Sequence, residues 1–99
     1  MTPSHPNFGE INRAALAVAP ALLDRLLPSG RRRGNEWVAL NPHRRDRTTG
    51  SFKINLRTGR WADFATGDKG GDVISLAAFL WGVPQSEAAR RLARELERR

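Results

Sequence analysis

The chain has 99 residues, 39% of them hydrophobic, with 17 Lys and Arg, 10 Asp and Glu, and a formal net charge of +7. That length allows one small domain with a modest core. The absence of cysteine excludes disulfides, cysteine–zinc coordination and thiol catalysis, and no apolar run approaches the roughly 20 residues of a membrane span.

Residues 1–7 hold two prolines and no apolar pattern, and are expected to form a disordered tail. Residues 8–30 read as helical, because Ile11, Ala15, Val18, Ala19, Leu22, Leu23, Leu26 and Leu27 recur at helical spacing. Pro20 either kinks one helix or sits in the first turn of a second. Pro28-Ser29-Gly30 ends the pattern, and Arg31 to Asn35 reads as a basic loop.

Residues 35–65 read as a β-ribbon. Glu36 to Leu40 forms a short strand, with Trp37 and Val38 of high β preference. Ser51 to Leu56 alternates, with Phe52, Ile54 and Leu56 on one face and Ser51, Lys53 and Asn55 on the other. Arg57 to Arg60 makes a hairpin turn, and Trp61 to Phe64 returns antiparallel. Thr66 to Gly71 is a glycine-rich connection. Residues 71–98 read as two helices. The first is N-capped by Asp72, runs through Trp81 and is apolar on most sides, as a central core element would be. The second follows Gly82 and Pro84 and buries Ala89, Leu92, Ala93 and Leu96. The expected fold class is α+β, a three-stranded antiparallel β-ribbon packed against N-terminal and C-terminal helices in a single domain, 1–99. Trp37, Phe52, Ile54, Leu56, Trp61 and Phe64 would supply the ribbon's core.

The charge is localised. Residues 1–30 and 61–99 are each balanced, whereas residues 31–60 hold nine basic side chains against Glu36 and Asp46. Those nine are Arg31, Arg32, Arg33, Arg44, Arg45, Arg47, Lys53, Arg57 and Arg60. A concentrated positive field suits a phosphate backbone, and the planar arginine fork matches phosphate and stacks on bases. An acidic protein partner would be served by the same charge. Lys53 and Asn55 project from the polar strand face, and Trp61 or Trp37 could stack a base if partly exposed.

Enzymatic chemistry has little to stand on. The Gly67-Asp68-Lys69-Gly70-Gly71-Asp72 loop departs from the phosphate-loop pattern, and Asp72 would put a carboxylate where a phosphate must sit. Asp63, Asp68 and Asp72 serve as turn formers and caps more readily than as magnesium ligands. The chain reads as a non-enzyme with no cofactor.

Trp37-Val-Ala-Leu-Asn-Pro-His43, Gly50-Ser51-Phe52 and Trp61 to Leu76, with its Gly70-Gly71-Asp72-Val73-Ile74, occur in order. This stretch of some 40 residues resembles the zinc-ribbon domain of bacterial, phage and plasmid DNA primases. There a Cys-Pro-x-His element is followed by Ser-Phe, an aromatic strand, Cys-x-x-Cys and Gly-Gly-Asp-Val-Ile. Here the first cysteine falls on Asn41, the histidine near His43 and the cysteine pair on Asp63 and Thr66. The resemblance therefore implies a degenerate, metal-free ribbon held by packing. It further implies template contact by Lys53 and the surrounding arginines.

The expectation is a non-catalytic accessory module that binds single-stranded DNA in replication of a plasmid, phage or mobile element. It would act with a primase, polymerase or helicase in trans. The alternative is a protein-interaction module docking on such an enzyme without touching DNA. The first residues, Met-Thr-Pro-Ser-His-Pro, lack the basic-then-apolar order of a signal peptide, so a cytoplasmic location with no membrane partner is expected.

Overall fold

A computed structural model describes residues 7–43 and 50–97. The described chain is α+β, with four helices and a five-stranded antiparallel sheet in the order β1-β2-β3-β4-β5. Helix α1 (Phe8–Ala17) is capped by Asn7, whose side chain accepts from the Glu10 amide. It ends at Val18, and α2 (Ala19–Leu26) starts with Pro20 in its first turn, so proline opens a second helix instead of kinking a single one. Residues 1–6 of the expected tail lie outside the described residues.

The sheet is larger than the expected three-stranded ribbon. Between β2 (Glu36–Ala39), β3 (Phe52–Asn55) and β4 (Trp61–Asp63) the antiparallel pairing is as read from the alternation. Two further strands flank them. β1 (Arg31–Arg33) pairs with β2 through a turn in which Gly34 takes φ +60°, a value open to glycine at little cost. β5 (Lys69–Gly70) pairs with Trp61 and Ala62 of β4. Both segments were expected as loops. They carry no apolar alternation, so their strand character comes from their partners. Gly70 lies opposite Trp61, and a Cβ there would collide with the Trp61 indole and the Ser75 hydroxyl.

Helix α3 (Val73–Trp81) begins in a capping box, with Asp72 accepting from the Ser75 amide and the Ser75 hydroxyl accepting from the Asp72 amide. It runs between the helices and the sheet. Val73, Ile74 and Ala77 join Ala15, Leu22, Ala88, Ala89 and Leu92 in a helical cluster with α1, α2 and α4 (Gln85–Glu97). Leu76 joins Trp37, Ala39, Phe52, Ile54 and Trp61 in a second cluster under the sheet, which Leu23 of α2 and Leu27 just past its end close. A helix with apolar residues all round needs cover on more than one side, and α3 has it. Ala93 and Leu96 of the expected α4 stripe are only partly buried; Ala88 and Ala89 lie deeper. Phe64 does not join the core as expected. It is 73% exposed, because side chains alternate along β4 and Trp61 and Asp63 take the inner face.

Candidate nucleic-acid interface

The inner face of the sheet, toward α2 and α3, is formed by Trp37 and Ala39, Phe52 and Ile54, and Trp61. Opposite parity puts Glu36, Val38, Lys53, Asn55 and Ala62 on the outer face. Cross-strand register aligns Arg31, Val38, Lys53, Ala62 and Lys69 in one row across all five strands. Three cations thus stand on alternate strands, about 10 Å apart given the ordinary strand spacing. The next row holds Arg33, Glu36 and Asn55. Val38 is buried in the first row although it belongs to neither apolar cluster. Its register neighbours Arg31 and Lys53 have long aliphatic stems suited to covering it.

A shallow open depression of about 660 Å³ lies on this face. Among the described residues, Lys53, Arg60 and Lys69 contribute its cations, Glu36 a carboxylate, and Phe64 an exposed ring. The Lys53 ammonium is 5.9 Å from the Phe64 ring centroid, within cation–π range.

The residues expected to bind nucleic acid are distributed unevenly about this face. Arg31, Arg33 and Lys53 share it by register, and Arg60 lines the depression. Arg57 sits in the β3–β4 turn, where the Asn55 side chain accepts from the amides of Arg57 and Thr58. Arg32 has the parity of Trp37, and its Nε donates to the Gly34 carbonyl. It lies on an edge strand, where charge also discourages pairing with another chain. Arg44, Arg45 and Arg47 lie outside the described residues. Trp61 and Trp37 are 5% and 6% exposed. The Trp61 indole N–H donates to the Ser75 hydroxyl at 2.9 Å, and Trp37's donates to the Leu27 carbonyl. A partly exposed ring, the condition for stacking, is met by Phe64 and not by either tryptophan. Phe64 and Lys69 were not among the expected site residues. Strand parity counted from Trp61 would have found the first, while Lys69 gave no signal inside a glycine-rich segment.

The positions that the primase resemblance aligns with metal ligands hold a hydrogen-bonded knot. Asn41 and Asp63 are both buried, and the Asn41 amide donates to the Asp63 carboxylate at 2.8 Å. Asn41 also accepts from the His43 amide, and Asp63 from the Ala65 amide. His43 Nε2 lies 2.6 Å from the Phe79 carbonyl, which requires the proton on that nitrogen, and its ring packs edge-on against Phe79. The Thr66 hydroxyl donates to Asp68. The knot thus ties the end of β2 to the end of β4 through protein groups. Among the described residues no three His, Asp or Glu side chains gather in a way that could hold a metal ion, and no helix is long and apolar enough to cross a membrane.

No family model matches the chain, and comparison with curated proteins finds no sequence relative.

Proposed function

We propose that the chain is a non-catalytic module that binds single-stranded DNA on the outer face of its sheet. The observation that carries this reading is the cross-sheet row Arg31, Lys53 and Lys69 beside a depression lined by Arg60. The strand register fixes where these side chains leave the sheet, so the cations are presented to a backbone as one group and no loop must be ordered to gather them. Among the described residues Glu36 is the only carboxylate lining the depression, against three cations, a balance that favours a polyanion.

The finer reading follows the primase resemblance. The Asn41–Asp63 knot takes the place that metal coordination has in a zinc ribbon, and the chain acts as a metal-free relative of that domain. It serves replication of a plasmid, phage or mobile element and presents DNA to a primase, polymerase or helicase in trans.

The test is a fluorescence anisotropy titration with labelled single-stranded oligonucleotide over a range of salt. If about four phosphates are neutralised, log affinity falls with log salt at a slope near −3. Combined replacement R31A/K53A/K69A reduces that slope by about 2, since each lost phosphate contact removes about 0.7. Absence of binding at low salt, or an unchanged slope in the triple variant, contradicts the reading.

A further inference from the structure

We infer that Phe64 is a base-stacking platform, by which the outer face distinguishes a single strand from a duplex; this rests on the DNA-binding reading above. Exposed apolar side chains standing alone are ordinary, so exposure by itself decides nothing. Two further features give this ring its role.

The first is that the ring is exposed on an anchored backbone. The Phe64 amide donates to the Ser51 carbonyl at 2.9 Å. On one side Asp63 is 0% exposed and bonded to Asn41; on the other the Ala65 amide donates back to the Asp63 carboxylate. The Asp63 carbonyl accepts from the Gly67 amide as well. The buried Asn41–Asp63 knot therefore fixes the residue next to Phe64 and leaves the ring in water. Binding then orders only the ring's two side-chain torsions, since the backbone beneath it is already fixed.

The second is its company. Phe64 lines the same depression as Lys53, Arg60 and Lys69, with the Lys53 ammonium 5.9 Å from its centroid. An aromatic face beside a cationic track is the arrangement that binds single strands without sequence preference, because every base offers a π-face and every nucleotide a phosphate. A base stacked on Phe64 brings its own phosphate toward Lys53, whose flexible ammonium can follow it. A duplex has its bases stacked on one another and offers Phe64 no free face, although it still satisfies the cations.

The experiment compares wild-type protein with F64A, F64L and F64W on one labelled single strand and its duplex at fixed low salt. F64A and F64L lose about 5- to 100-fold of single-strand affinity, F64W retains it, and duplex affinity stays within about twofold. Melting curves of all four coincide to within a few degrees, because the ring contributes little buried area. If wild type binds the single strand and F64L binds it equally well, the platform is wrong and the DNA-binding reading survives. Equal losses on strand and duplex place the ring against the backbone and overturn stacking. No binding of single strands by wild type removes both readings.

Discussion

Trp61 and Phe64 stand three residues apart and lead opposite lives. Trp61 is 5% exposed, packs against Phe52 and Phe79, and gives its indole N–H to Ser75. Phe64 is 73% exposed and has Lys53 for company. They mark the two faces of one sheet. The inner face is aromatic and aliphatic and holds the chain together; the outer face is cationic and contributes little to burial. If the outer face binds as proposed, stability and binding are largely separable here, because side chains alternate between the two faces along each strand.

That separation can be broken from either side. The largest loss is expected on the inner face. Trp61→Ala removes a buried indole and leaves a cavity beneath the sheet, costing about 4 kcal/mol in chemical denaturation. Asp63→Ala comes next. It leaves the buried Asn41 amide and the Ala65 amide without this acceptor, at a cost of about 3 kcal/mol. R31A/K53A/K69A costs less than either, no more than about 0.5 kcal/mol per site, chiefly by uncovering Val38, despite the loss of DNA affinity expected of it. A comparable loss from this triple variant would show that the outer face is structural. The smallest expected effect is that of a metal chelator, which leaves the melting temperature unchanged because Asn41 and Asp63 join the strand ends directly. Unfolding by chelator would mean that the knot is a ligand set.

Much of the inner face was legible in the sequence. Phe52 and Ile54 alternate with polar residues, Asp72 announces a helix start, and Trp37 and Trp61 have few places to go but the core of a small domain. The outer face was harder to read, for a physical reason. Arg31–Arg33 and Lys69–Gly70 are strands because β2 and β4 offer them backbone partners, and a partner several residues away leaves no local periodicity. Phe64 was misassigned by hydrophobicity. Trp61 and Phe64 differ by an odd number of residues, so a regular strand cannot bury both. Asp63 shows the converse. A carboxylate was expected at a turn, and it is buried with Asn41, 22 residues earlier, among the groups that donate to it. Only long-range pairing could reveal that.

The central claim is that the outer face binds single-stranded DNA. Amide chemical-shift mapping during titration with a short single-stranded oligonucleotide tests it most directly. The predicted shifts cluster at Arg31, Lys53, Arg60, Ala62, Phe64 and Lys69, and leave α1 and α4 unmoved. Shifts confined to the helical side, or none at low salt, would contradict it.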